Sequence, residues 1–168
     1  MNNQVTLRDW KIEDAMIIPK LANNKNIWDN LRDEFPFPFH ESDAINFLNK
    51  VQNNSSIFSK AIEFNNSLVG CITIEIKDDI RRFSGVLGYW IGQEYWNKGI
   101  ATSAIKQITD LAFNQLQIIR VCAKVFATNI GSIKALEKCG YIKEGYFSKA
   151  VYKNGQFYDQ VLYAKIFN

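Results

Sequence analysis

Apolar positions change their period several times along this chain, and the changes mark its elements. Residues 4–7 alternate as a first strand. From 12 to 22 the apolar residues fall at helical spacing, with Glu13 and Asp14 in the first turn, where acids suit the helix dipole. Pro19 lies late in that run and is expected to kink or shorten it. A second short helix is expected around Ile27, Trp28 and Leu31. Phe35-Pro36-Phe37-Pro38-Phe39 reads as a loop pinned by its rings, because each proline removes a donor and restricts its predecessor. Ser42 is a good N-cap for a helix carrying Ala44, Ile45, Leu48 and Val51.

The period then drops to two. Residues 57–64 and 68–76 read as strands around an Asn65-Asn66-Ser67 turn, with Ile72, Ile74 and Ile76 on one face and Thr73 and Glu75 on the other. Strands are expected over 86–91 and 120–126, and a long amphipathic helix over 100–116. A helix over 130–138 stops at Gly140. Strands over 146–152 and 157–166 flank Asn154-Gly155, a strong hairpin signal. Seven strands in this order, with strand-helix-strand crossovers in the second half, predict an α/β fold: a mixed sheet covered by helices on both faces. At 168 residues, without repeats or linkers, the chain reads as a single domain, 1–168.

The most informative junction is Tyr89-Trp90-Ile91-Gly92-Gln93-Glu94-Tyr95-Trp96-Asn97-Lys98-Gly99-Ile100-Ala101-Thr102. A strand ends, a loop turns, and a helix begins at Gly99. A first helical turn has unpaired N–H donors and the positive end of the dipole, so it suits an anion. Gly99 and Ala101 are small enough for close approach. The junction therefore reads as a site for the pyrophosphate of a nucleotide-like cofactor. It is neither a Walker loop nor a Gly-x-Gly-x-x-Gly fingerprint.

Composition narrows the classes. A net charge of +3 with scattered Lys and Arg gives no nucleic-acid footprint. There is no long apolar run for a membrane span, and Met1-Asn2-Asn3-Gln4-Val5 does not open like a signal peptide. Cys71, Cys122 and Cys139 are odd in number and far apart, which fits buried free thiols in a reducing cytoplasm. With a single His and no paired Cys spacing, no metal site is expected.

Trp96-Asn97-Lys98-Gly99-Ile100-Ala101 resembles the acyl-CoA loop of the GNAT N-acetyltransferase superfamily, Gln/Arg-x-x-Gly-x-Gly/Ala, with Trp at the first position. Asn129-Ile130-Gly131-Ser132, followed by Gly140-Tyr141, resembles that family's second segment at matching spacing. Leu7-Arg8-Asp9-Trp10, Tyr89-Trp90-Ile91 and Asp159-Gln160-Val161-Leu162-Tyr163 are similar to the branch that includes the bacterial ribosomal-protein N-terminal (RimJ/RimL-like) acetyltransferases. The resemblance implies the GNAT fold, a mostly antiparallel sheet of about seven strands splayed in the middle, with pantetheine in the gap.

It also implies an activity: acetyl transfer from acetyl-CoA to a primary amine, a protein N-terminus or a small molecule, by direct transfer in a ternary complex, with CoA as product. Trp90, Ile91, Trp96, Asn97, Lys98, Gly99, Ile100, Ala101, Thr102, Asn129 and Ser132 are then the expected cofactor contacts, and a strand N–H near Ile91 the oxyanion donor. Catalytic candidates are Ser132 as acid, Glu75 as base through water, and Asn129. Asp159 is a second candidate base. Many family members carry a Tyr seven residues after the Asn, and here that position is Leu136. Trp28, Phe37, His40, Tyr146 and Asp159 are the expected acceptor contacts, in aromatic surroundings that suit an amine. Those surroundings suit a core or a dimer interface equally well. The expected assembly is a monomer or homodimer in the cytoplasm, without nucleic-acid or membrane partners. The competing reading, motivated by Trp96 and Leu136, is a non-catalytic acyl-CoA-binding module.

Overall fold

The computed structural model describes residues 4–167. The leader reading at Met1–Asn3 lies outside them. Seven strands form one sheet in the order β1-β2-β3-β4-β5-β7-β6. They are β1 (Val5–Arg8), β2 (Ile57–Phe64), β3 (Ser67–Ile76), β4 (Ser84–Ile91), β5 (Arg120–Phe126), β6 (Ile142–Lys153) and β7 (Gln156–Ile166). All neighbours are antiparallel except β4 and β5, which run parallel. This is the expected GNAT-like mixed α/β architecture.

Helices cover both faces. The long helix α4 (Ile100–Gln115) returns the chain from β4 to β5, the connection a parallel pair requires. Its Ile100, Ala104, Ile105, Ile108 and Ala112 form one stripe, at most 1% exposed, against Ile62, Ile72, Ile74 and Leu87 of the sheet. Full burial of each isoleucine contributes about 2 kcal/mol. Helix α5 (Ile130–Lys138) adds Ala135 and Leu136 to the same core. The other face carries α1 (Ile18–Ala22), α2 (Lys25–Trp28) and α3 (Glu41–Asn53) over a smaller core of Ile18, Leu21, Phe39, Leu48 and Leu68.

Four local expectations are corrected. The run over 12–22 is not one helix: a 3-10 turn over Ile12–Met16 is followed by α1, and the break falls at Ile17. Pro19 therefore sits in the first turn of α1, where its missing N–H costs nothing. Helix α3 starts after His40, whose backbone N–H donates to Asp43 at 2.8 Å, so Ser42 is inside the helix. Strand β6 starts four residues before 146, on an edge whose side chains are mostly exposed, which weakens the alternation that marks a half-buried strand. The Asn154-Gly155 turn is as expected, with both residues at positive φ. Cys71 and Cys139 are buried and free, whereas Cys122 is only half-buried, a correction to the reading of three buried thiols. Burial pushes the Cys71 thiol up to about 11.

The edge at β1 is fixed by charge. Arg8 donates to both oxygens of Asp14, at 2.7 and 2.9 Å, and to Glu63 at 2.6 Å. Asp14 is 3% exposed. Burial alone pulls its carboxyl up, but Arg8 and the backbone N–H of Lys11 outweigh that and hold it below its ordinary value. A carboxyl whose pKa is lower folded than unfolded contributes stability above the unfolded value and loses it as pH falls through the folded one. Asp14→Asn is expected to cost about 2–4 kcal/mol at neutral pH, because Arg8 keeps its charge with one carboxylate fewer. Urea unfolding from about pH 5 down to about pH 3 is then expected to decline less steeply in the variant than in the parent.

Candidate active site

The site is built where β4 and β5 part. Their pairing runs only over Ser84↔Arg120, Gly85↔Val121 and Val86↔Cys122, while β4 continues to Ile91 and β5 to Phe126. Beyond Val86 each strand keeps a partner on one side only, β3 for β4 and β7 for β5. The Gly92 N–H donates to Val69 C=O at 2.8 Å, which makes Ile91 and Gly70 a non-hydrogen-bonded pair. The Ile91 N–H and C=O therefore point away from β3, into the gap. The Ile91 carbonyl is taken by the Trp96 indole N–H at 2.7 Å, and its N–H remains directed at the opening. At Gly70 a Cβ would lie 2.4 Å from Trp90 O, so only glycine allows this approach of β3 to the end of β4.

The loop to α4 is shaped by left-handed residues. Asn97 (φ 62°) and Gly99 (φ 76°) turn the chain, and Gly99 is the N-cap with open space where a Cβ would be. Helical hydrogen bonds begin with Ser103 N–H to Gly99 C=O at 3.1 Å. The N–H groups of Ile100, Ala101 and Thr102 thus have no intrahelical partner, no side chain among the described residues caps them, and the first turn holds no acid. Lys98 lies over the Tyr95 ring at 5.2 Å. The result is an uncapped, positive helix terminus beside the gap, fit for a phosphate-bearing ligand.

On the far side of the gap, Asn129 caps α5: its Oδ1 accepts from the Ser132 N–H at 3.2 Å. Ser132 Oγ lies 2.7 Å from the Tyr89 hydroxyl, so β4 and α5 touch across the opening. Burial pushes the Tyr89 hydroxyl up to about 12. From sequence, Tyr89 reads only as part of the strand leading to the loop, with no site role, although strand alternation puts it on the side of Leu87 and Ile91 that faces α5. Leu136 is fully buried in the core.

The opposite face of β4 is different. Register puts Cys71 with Trp90, Thr73 with Gly88, and Glu75 with Val86 on that face. Gly88 is exposed, and a Cβ there would meet nothing within 4 Å, so the space over it is open. Trp90 bounds one end, 6.2 Å from Phe35 between ring centroids, and Phe35 stacks near Phe39. Glu75 bounds the other end, bonded to Lys77 at 2.5 Å with Arg32 4.0 Å away. The Lys77 hydrogen bond holds the Glu75 carboxyl below its ordinary value. Trp90, expected among the cofactor contacts, thus turns its side chain to this face.

The acceptor candidates divide. Trp28 stacks on Phe37 at 5.5 Å, and its indole N–H donates to Phe35 C=O at 2.9 Å. The β6–β7 hairpin reaches this cluster. Lys153, 2% exposed, places its ammonium 3.6 Å from the Trp28 ring centre and 2.8 Å from Asp33, and Asn154 donates to Asp29 at 2.7 Å. Lys153 was also missed, since a lysine near a hairpin tip gives no sequence signal of burial. Tyr146 and Asp159 lie elsewhere on the hairpin. Asp159 accepts from the Tyr146 hydroxyl, from Ser148 at 3.3 Å and from the Lys149 N–H at 2.7 Å, satisfying the bulge in β6. His40 sits at the start of α3, with its backbone tied to Asp43.

A family model for the acetyltransferase (GNAT) domain matches residues 4–142. The chain belongs to the GNAT acetyltransferase family. It is 33% identical over 101 residues to YdaF of Bacillus subtilis, whose name assigns it provisionally to the ribosomal N-acetyltransferases. That match covers 60% of this chain and about half of the relative, 55%. The microcin C7 self-immunity acetyltransferase MccE, solved in complex with acetyl-CoA and AMP, superposes with a TM-score of 0.85 at 26% identity, covering 99% of this chain and 94% of that one. RimJ of Mycobacterium smegmatis, solved with CoA-disulfide, shares the fold with a TM-score of 0.87 at 22% identity, over 96% of this chain and 81% of its own. The YdaF match agrees with the RimJ/RimL-like branch that the sequence resembles.

The clip between the hairpin and α2 has a measurable strength. A desolvated cation over an indole contributes about 2 kcal/mol. Lys153→Ala is expected to lower stability by about that amount in urea unfolding, and Lys153→Arg to recover part of it. An unchanged midpoint in Lys153→Ala shows that the clip contributes nothing.

Proposed function

We propose that this chain is an acetyl-CoA-dependent N-acetyltransferase that moves acetyl to a primary amine, a protein N-terminus or a small-molecule amine, by direct transfer in a ternary complex. The observation that carries this reading is the parting of β4 from β5 beside an uncapped α4 terminus. A chain-like cofactor arm pairs with free strand groups in such a gap, and its pyrophosphate meets the helix N–H groups. Residues Trp96 to Thr102 hold the pyrophosphate through backbone. Ile91 contributes backbone along the arm, whereas Trp90, in the hydrogen-bonded pair with Cys71, has its N–H and C=O turned to β3. Asn129 and Ser132 line the far wall.

The chemistry follows from this placement. The amine nitrogen attacks the thioester carbonyl carbon, a C–N bond forms, and negative charge builds on oxygen, where the Ile91 N–H is the donor. The C–S bond then breaks, and sulfur takes the electron pair and a proton, with Ser132 as the acid. The acceptor enters over Gly88, between Trp90 with the Trp28–Phe37 cluster and Glu75. Glu75 is ionised there and takes the ammonium proton through water. His40, at the start of α3, and Tyr146 and Asp159, at the bulge of β6, remain further candidate acceptor contacts in this reading. The same reading takes the chain as one domain without a metal, working in the cytoplasm as a monomer or homodimer.

A second reading draws on Leu136, which brings no hydroxyl to the gap: a module that binds acyl-CoA without turnover. Thermal unfolding with acetyl-CoA, CoA and ATP, followed by an amine panel, separates the two. Ligand at about 100-fold over its Kd adds about 2.7 kcal/mol, or a rise of roughly 5–10 °C for a chain of this size. Acetyl-CoA and CoA are expected to raise the midpoint and ATP not to. Gly99→Val is expected to abolish that rise while the protein remains folded. A Gly99→Val protein that still responds to CoA overturns the pyrophosphate assignment. Binding without release of CoA for any amine favours the non-catalytic module.

A further inference from the structure

The hydroxyls of Tyr89 and Ser132 meet in the gap, 2.7 Å apart. One comes from β4, past its last rung with β5, and the other from the first turn of α5. We propose that Tyr89 is a positioning residue for acetyl transfer: it donates to Ser132 Oγ, which leaves the Ser132 hydrogen free for the departing thioester sulfur. The proposal rests on the acetyl-transfer reading of the site.

The direction of the bond follows from acidity. A phenol is a far better donor than an alkyl hydroxyl, so Tyr89 donates and Ser132 accepts. Burial raises the Tyr89 pKa, which keeps that proton in place at neutral pH. Asn129 Oδ1 is engaged by the Ser132 N–H, and Leu136, one turn further along α5, is apolar. A hydroxyl that accepts a strong hydrogen bond is polarised into a better donor onward. The protons balance. After the C–N bond forms, the nitrogen carries one proton in excess. Ser132 passes its own proton to sulfur as the C–S bond breaks, and the nitrogen's proton restores it through water. Tyr89 keeps its proton throughout.

A double-mutant cycle on CoA release tests this, with acetyl-CoA and an amine that the wild type accepts. Tyr89→Phe is expected to lower kcat about tenfold, with KM for acetyl-CoA within about twofold of wild type. Ser132→Ala is expected to lower kcat further, and Ser132→Thr to restore most of it. The combined variant is expected to match Ser132→Ala, since Tyr89 then has nothing to orient. Wild-type kcat in Tyr89→Phe, or losses that multiply in the combined variant, overturns the role of Tyr89 while leaving acetyl transfer standing. A wild type without turnover on any amine overturns both. Should Tyr89→Phe fail to fold, Ser132→Ala with wild-type kcat still overturns the proposal, because it removes the group through which Tyr89 acts.

Discussion

Three rungs hold β4 to β5, and the rest of the molecule is arranged around the fact that the fourth is missing. A parallel pair that stops at Val86↔Cys122 leaves backbone groups on both strands facing a gap. Buried backbone groups need partners, so the gap has to be filled, by water or by something with amides of its own. The fold supports the opening on every side. β3 and β7 hold the outer edges of the two strands in register, and α4 packs its isoleucine stripe beneath them. Tyr89 and Ser132 tie the two banks together by side chains where the backbones no longer meet.

The two faces of β4 then carry different environments because residues alternate across a strand. Toward α4 and α5 the sheet is closed by a continuous apolar core, and polar atoms there are few and paired, such as Thr109 with Tyr141 at 2.7 Å. On the other face the apolar cover thins out. Trp10, Thr73 and Ser59 form a hydrogen-bonded chain under α3, and beyond it Gly88 lies open between Trp90 and Glu75. One face is dry and held by packing, which suits an acyl group. The other is open and edged by a carboxylate and aromatic rings, which suits an amine.

Much of this was legible in the sequence because the long elements have strong periods. The isoleucine alternation of β3, the stripe of α4 and the Asn154-Gly155 turn each depend on a single rule applied over many residues or on an obligate conformation. The anion loop was legible for the same reason, since Gly99 at positive φ ahead of an uncapped helix is local chemistry. What sequence did not give is the long-range pairing of side chains. Tyr89 lies 43 residues from Ser132, and Lys153 lies 120 from Asp33. Nothing in either local pattern separates these residues from an ordinary strand tyrosine or a solvated lysine. Asp159 shows the same limit. Its place near the start of the last strand suggested a base or a contact for the substrate amine. Nothing local announced that its oxygens accept from Tyr146, Ser148 and the Lys149 N–H at a bulge in the neighbouring strand.

Trp96 illustrates how a departure from a family pattern can be absorbed. At that position the resemblance expects Gln or Arg, side chains that carry donors. The indole supplies one donor and spends it on Ile91 C=O, five residues back, so the loop is stapled to the strand end that it leaves. The staple leaves the Ile91 N–H as the polar group at that point still facing the gap. It also keeps the loop's left-handed turn at Asn97 and Gly99 in place without any side chain reaching toward the helix terminus. In the proposed reading, recognition at this loop is carried by backbone N–H groups, which no substitution at position 96 removes. The identity of the first residue governs how firmly the loop is held, and the glycine governs whether an anion can approach.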